Sequence, residues 1–228
     1  MKKKILAILL TAMLGLIPLA FLTACGEEAA APSQYSYYSF VYDETLEGLV
    51  LDVTYSGKLP SGELALPEVS FYYKDTADAK EDTLHENGMR IVAIADNAFK
   101  GCNNLTSVIL SSGIKQIGSG AFADCTGLES VSLNTSVTAI PDDAFNGCTS
   151  LKSISGGKPT AIGDRAFRNC MKLTSFGCDL SALETVGNDA FFYCIGIKSI
   201  DVSNATDVSD TAFTGWREGQ EIIRSSQS

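Results

Sequence analysis

One histidine, His85, stands in the whole chain. A lone imidazole cannot form the His pairs of a zinc site, and no Ser, Asp or Cys near it completes a nucleophile motif. His85 lies in Glu81-Asp82-Thr83-Leu84-His85-Glu86 and reads as a solvated loop residue. The chain also lacks a glycine-rich phosphate loop and the Asp-x-Asp-x-Asp-Gly pattern of a calcium loop. The acidic run from Asp75 to Asp82 therefore reads as a hydrated loop. Basic residues cluster only at Lys2-Lys3-Lys4 and the formal net charge is −10. That balance excludes nucleic acid as a partner, because phosphate binding draws on Lys and Arg. Charged residues reach only 19%, so Ser, Thr, Asn and Gly fill the solvent positions, as on extracellular surfaces. A hydrophobic content of 45% excludes wholesale disorder. No residue pattern asks for a cofactor or a metal, and catalysis is not expected.

The basic residues that are present open the chain. They precede an apolar stretch from Ile5 to Leu22 that is broken by Gly15 and Pro18 and ends in Leu22-Thr23-Ala24-Cys25. Small residues before a single Cys point to cleavage rather than to a membrane span. The tetrapeptide resembles the lipobox of bacterial lipoproteins. That resemblance implies cleavage between Ala24 and Cys25, a diacylglycerol on Cys25 and often a further acyl chain on the new amino terminus. Two or more acyl chains anchor a protein stably, whereas one does so marginally. An acidic body does not lie down on anionic lipid. It would stand off on the tether Gly26 to Gln34, which reaches about 30 Å when extended.

A rhythm fills the second half. Phe99, Phe122, Phe145, Phe167, Phe191 and Phe213 recur at spacings of 23, 23, 22, 24 and 22, each preceded by Ala. Cys102, Cys125, Cys148, Cys170 and Cys194 follow three positions later, and Trp216 takes that place in the last copy. Such periods mean stacked units, each unable to bury its apolar face alone. Five positions before each Phe stands Ile94, Ile117, Ile140, Ile162, Val186 or Val208. Three before it stands Asp96, Ser119, Asp142, Asp164, Asn188 or Asp210, all N-cap residues that predict a one-turn helix carrying the Ala-Phe pair. Apolar residues at six, nine and eleven after the Phe, as in Leu105, Val108 and Leu110, predict a short strand of period two.

The pattern Leu-x-x-Val-x-Leu is that of a leucine-rich repeat strand. With the Ala-Phe-x-x-Cys-x-x-Leu turn, it closely resembles the BspA-like (Treponema pallidum type) leucine-rich repeats of bacterial surface proteins. The likeness covers roughly residues 91 to 224. It implies a mostly β solenoid of about six coils, each a short strand plus a one-turn helix. The chain then divides into a signal peptide (1–24), a lipidated Cys with its tether (25–34), a Tyr-rich β capping module (35–90), the solenoid (91–216), and a C-terminal cap strand and tail (217–228).

Seven cysteines in an exported chain invite a disulfide reading. With Cys25 assigned to lipid, five share one inward column, and Cys178 fills a strand-core position. A buried ladder of free thiols is the reading preferred here; bridges between neighbouring coils are the alternative.

Seven of the eight tyrosines fall between residues 35 and 73. Leu49 to Tyr55 and Val69 to Tyr73 are strand-like, and Asn87-Gly88 is a hairpin signal before the first repeat. These strands are expected to close the open end of the solenoid, as Trp216 and Ile222-Ile223 are at the other end. Tyr35, Tyr37, Tyr38, Tyr42, Tyr72 and Tyr73 are also possible ligand contacts, since aromatic rings dominate binding hot spots.

Leucine-rich solenoids commonly bind on the face of their stacked strands. The serines Ser107, Ser130, Ser153, Ser175 and Ser199 repeat there and are structural. Ile109, Glu129, Lys152, Lys198 and Asp201 differ between copies and are the candidates for specificity. The face is small, polar and flat, which suits a protein or glycan partner better than a buried small molecule. The expectation is a cell-surface adhesion or binding protein of a bacterial envelope, held to the membrane through its lipid only. The alternative is a structural or scaffolding role within the producing cell's own envelope.

Overall fold

A computed structural model of the chain describes residues 39–43, 45, 48–52, 62–65, 69–70 and 89–224. The strands, in order, are β1 (Ser39–Asp43), β2 (Gly48–Asp52), β3 (Gly62–Ala65), β4 (Val69–Ser70), β5 (Met89–Ile94), β6 (Leu105–Ile109), β7 (Gln116–Ile117) and β8 (Ser130–Ser132). They continue as β9 (Ala139–Ile140), β10 (Ser153–Ser155), β11 (Ala161–Ile162), β12 (Ser175–Gly177), β13 (Thr185–Val186), β14 (Ser199–Asp201), β15 (Asp207–Val208) and β16 (Glu221–Ile223).

Each repeat contributes two rungs to a solenoid. The longer rungs, of three to five residues, stack in parallel as β3-β6-β8-β10-β12, with Val108, Val131, Ile154 and Phe176 in one row. Shorter rungs carry the Ile/Val column, where β9, β11, β13 and β15 run in parallel with Ile140, Ile162, Val186 and Val208 aligned. Alternation fixes which side faces in: in β8 and β10 the central Val131 and Ile154 are buried between less buried serines.

Between the two ladders runs the phenylalanine column. Neighbouring rings from Phe99 to Phe191 stack with centroids 5.2, 5.5, 5.4 and 5.3 Å apart and planes within 13° of parallel. Phe213 adds a sixth ring at 5.5 Å, itself covered by Trp216 edge-on at 5.0 Å. Strands in a sheet sit about 4.8 Å apart. Identical side chains on successive coils therefore meet near contact distance, and aromatic faces slide into an offset stack. A further buried column, Ile91, Ile114, Val137 and Leu183, lies three residues before the Ile/Val column.

The predicted one-turn helix is not formed. The residues around each Phe are turns, and the one described helical element is a 3-10 turn at Leu180–Ala182. The reason lies in where the amides point. Asn97, Phe99 and Gly101 donate to the carbonyls of Ser119, Ala121 and Ala123 in the next coil, at 2.9, 2.7 and 2.8 Å. The alternate residues Ala98, Lys100 and Cys102 donate three residues back, to Ala95, Asn97 and Phe99. A helix would keep all of these bonds within its own coil; here half of them join coils.

That alternation needs left-handed backbone two residues either side of the Phe. The positions are Asn97 and Gly101, Gly120 and Asp124, Asp143 and Gly147, Arg165 and Asn169, and Asp189 and Tyr193. Most are Gly, Asn or Asp, which tolerate positive φ. Arg165 (φ 55°) and Tyr193 (φ 57°) are the exceptions. Arg165 is tied to Asp143 in the preceding coil by a bidentate contact, Nε to Oδ1 at 3.0 Å and Nη2 to Oδ2 at 2.8 Å.

The presumed N-caps are corrected in the same way. Asp96 Oδ1 accepts the N–H of Ser119, Asp142 Oδ1 that of Asp164, and Asp164 Oδ1 that of Asn188, at 2.7–2.8 Å. Each side chain caps the equivalent residue of the next coil, not its own turn.

Upstream of the repeats, β2 pairs in parallel with β5 and sets the buried Leu51 beside Ile94. In the other ladder β3 pairs with β6 and sets Leu64 beside Val108. Residues of β2 and β3 thus continue both ladders as one more coil, without the Ala-Phe-x-x-Cys motif. β1 runs antiparallel along the outer edge of β2, and β4 pairs antiparallel with β5, Ser70 opposite Met89. The Asn87-Gly88 turn, His85 and the run Asp75 to Asp82 lie outside the described residues. At the other end Ile222 turns inward, while Ile223 is exposed and does not serve as a cap.

Because each interior ring is stacked on both sides, Phe145→Ala is expected to lower unfolding free energy by about 3–5 kcal/mol. Phe213→Ala, at the end of the stack, should lower it by less. Urea unfolding followed by circular dichroism measures both.

Candidate binding surface

Parallel register brings the outward strand residues into columns. Ser107, Ser130, Ser153 and Ser175 are direct neighbours on β6, β8, β10 and β12. The register adds an acid at each end of this serine row: Glu63 on β3 opposite Ser107, and Glu221 on β16 opposite Ser199. Ser107 Oγ donates to Glu63 Oε2 at 3.3 Å. Neither acid was legible as part of the face, because β3 carries no repeat motif and Glu221 falls where the other copies have Ser. The one signal for Glu63 is the spacing of Leu51 and Leu64, 13 residues against 14 for Ile94 and Val108.

Of the five specificity candidates, Glu129 and Lys152 are brought together. Lys152 Nζ lies 2.7 Å from Glu129 Oε2, with both side chains half exposed. The Lys152 ammonium, by hydrogen bond and then by charge, holds the Glu129 carboxyl below its ordinary value. The pair is thus a local dipole on the face, not two independent charges, and an exposed pair of this kind contributes little to stability. Ile109, 42% exposed, stands between Ala65 and Ser132 in the outermost row, and Ile223, 40% exposed, stands opposite Asp201 on the β14–β16 pair. Lys198 and Asp201 are exposed on the second, two-stranded part of the strand face, β14 and β16. The Ser203 side chain, and then the Ser203 N–H that Asp201 Oδ1 accepts at 2.9 Å, hold the Asp201 carboxyl below its ordinary value. The site is therefore two groups of residues on one face.

The other candidates fall elsewhere. Cys25, Tyr35, Tyr37, Tyr38, Tyr72 and Tyr73 lie outside the described residues. Tyr42 belongs to β1, opposite Leu49. On the turn side, at positions outside the apolar columns, Met171 and Tyr193 are exposed and the Arg168 guanidinium lies 5.0 Å from the Phe192 ring centroid.

The six described cysteines are free thiols, five of them fully buried. Cys125, Cys148, Cys170 and Cys194 each donate S–H to the Phe carbonyl of the preceding coil, at 3.0–3.2 Å. Trp216 Nε1 makes the same bond to Phe191 O at 3.0 Å, which explains how an indole replaces a thiol in the sixth copy. Burial pushes the Cys148 and Cys194 thiols up to about 12 and raises Cys170 as well. From Cys125 to Cys194 the column is a structural hydrogen-bond ladder with the thiolate suppressed, whereas a hydrogen bond with Cys125 lowers the pKa of Cys102 at its start. Among the described residues no His, Cys, Asp and Glu gather in a group able to hold a metal ion.

A family model described as the BspA type Leucine rich repeat region matches residues 92–218 in six copies. Among solved structures, the Treponema pallidum Leucine Rich Repeat protein (TpLRR) aligns with a TM-score of 0.58 at 22% identity, over 80% of this chain and 82% of that one. A leucine rich cell surface protein from Faecalibacterium prausnitzii A2-165 aligns with a TM-score of 0.55 at 18% identity, over 90% of this chain and 56% of the other. A leucine-rich repeat protein from Eubacterium ventriosum gives 0.54 at 22% identity, over 80% of this chain and 51% of its own. At these identities the likeness is one of fold, and this chain spans little more than half of the last two. No curated protein matches the chain.

The buried ladder leads to a reactivity test. Cys125, Cys148, Cys170 and Cys194 should resist iodoacetamide at mildly alkaline pH in the folded protein and all react in concentrated guanidinium. Peptide mass spectrometry reads this out; a disulfide between adjacent coils would contradict the hydrogen-bond ladder.

Proposed function

The chain belongs to the BspA type leucine-rich repeat family, and from that membership we propose that it is a lipid-anchored envelope protein that binds a protein or glycan at the cell surface. The observation that carries this reading is the strand face itself. Parallel register lines up small hydroxyls from β6 to β12 beside the Glu129–Lys152 pair and Ile109, and Lys198 and Asp201 belong to the separately paired β14–β16 part of that side. Flat surfaces with a few distinctive charges and apolar side chains bind other surfaces; they do not enclose a reacting centre. The interior supports the same division of labour, since its thiols serve the stack and every buried residue among those described is apolar. Lipid on Cys25 would hold this face away from an anionic bilayer that the acidic body avoids. Several copies on one cell would add avidity to a modest single-site affinity.

Two measurements test the reading. Cys25→Ser should move the signal-cleaved chain from the membrane fraction to the soluble fraction. The full chain in detergent, offered mucins, matrix proteins, a glycan array and the producing cell's own envelope extract, should capture a mucin, matrix or glycan partner. Lys152→Glu combined with Lys198→Glu should weaken that capture about tenfold or more. Capture solely from the self envelope would establish the scaffolding role instead.

A further inference from the structure

The strand-face ladder breaks once. β3 through β12 form one sheet and β14 with β16 another, so β12 and β14 are unpaired. The coils concerned remain joined elsewhere. β13 and β15 pair across the opposite ladder, Phe167 stacks on Phe191 at 5.3 Å, and the Cys194 thiol bonds Phe167 O. The opening is therefore confined to the strand side.

Its cause is visible in the side chains. Where the other coils place Val or Ile, this one has Phe176. The Phe176 ring stands edge-on to both Phe167 and Phe191, at 5.3 and 5.4 Å, and so lies between the two coils as a wedge. This coil is also the longest, with 24 residues from Phe to Phe, and its 3-10 turn Leu180–Ala182 borders the gap. A cleft of about 370 Å³ results, lined by Phe176, Asp179, Ser181, Ser199 and Asp201 among others.

Two features of the cleft select an occupant. Strand edges on either side present backbone donors and acceptors that every other rung of this sheet gives to its neighbour, a period that matches an extended polypeptide and not a saccharide. The rim is acidic. Asp179 is partly neutralised by Lys158 at 3.4 Å, whereas Asp201 has no ion pair among the described residues. We propose that the cleft between β12 and β14 takes an extended segment of a protein partner, which forms main-chain hydrogen bonds with the open strand edges and sets a basic side chain against Asp201. The inference rests on the strand face being the binding surface, and names a polypeptide as the partner class.

The test offers the full chain in detergent to an array of peptides of about ten residues. They alternate β-branched and polar residues and carry one Lys or Arg at each position in turn. A matching set is N-methylated at alternate amides, which removes ladder donors and leaves side chains intact. Capture should be lost on N-methylation and weakened at least about tenfold by Asp201→Lys. Phe176→Val, which restores the column residue, should close the gap and abolish capture with the fold kept by circular dichroism. If that variant does not fold, N-methylation and Asp201→Lys still decide. Capture indifferent to both overturns the proposal. So does the absence of peptide capture from a chain that still captures mucins, matrix proteins or glycans, which leaves the strand-face reading standing. Failure to capture anything at all sinks both.

Discussion

The structure depends on one repeated constraint: a phenylalanine ring must land on the ring of the coil before it. Five such contacts at 5.2–5.5 Å run the length of the solenoid. They hold only if successive coils keep the rise of a parallel sheet, and the rise is kept by amides that cross from coil to coil. The turn around each Phe is shaped by that need. Alternate N–H groups leave the turn for the neighbouring coil, left-handed residues make the alternation possible, and a thiol or indole satisfies the Phe carbonyl from above. Stack and cross-coil bonds enforce each other, so apolar burial and backbone satisfaction are met by one geometry.

The outer face inherits its flatness from this rise. Because strands align residue for residue, side chains that are far apart in the chain become lateral neighbours. Glu129 meets Lys152 in this way, and Glu63 joins Ser107 across 44 residues. The same regularity makes a single departure consequential. Where Phe176 stands in place of an Ile or Val, β12 and β14 do not pair, and the ladder opens on the strand side.

Much of this was legible in order of residues. The Phe, Cys, Leu and Ile/Val columns are simple periodicities, and each proves buried except at Val208, which is half-buried at the end of its column. The N-cap residues three positions before the Phe predict a helix, whereas the left-handed positions two residues either side of it, Arg165 and Tyr193 among them, show no single residue type that marks them. That reading failed because Asp96 and Asp142 look like N-caps to any local rule. Whether a carboxylate serves its own turn or the next coil is decided by which amide is nearer, and that amide lies about one repeat away in sequence. The coil made by β2 and β3 was hidden for a related reason. It has the apolar pair Leu51 and Leu64 but no Phe or Cys, so nothing in it repeats.

The sequence by itself determined the solenoid, the number of repeated coils, the inward columns and the list of residues left to face solvent. It could do so because burial of a periodic apolar set has one stacked solution. Only the tertiary structure decided which coil each hydrogen bond serves, which exposed charges neutralise one another, and where the strand ladder opens. These depend on distances between residues that are neighbours in space alone, and no spacing along the chain encodes them one coil at a time.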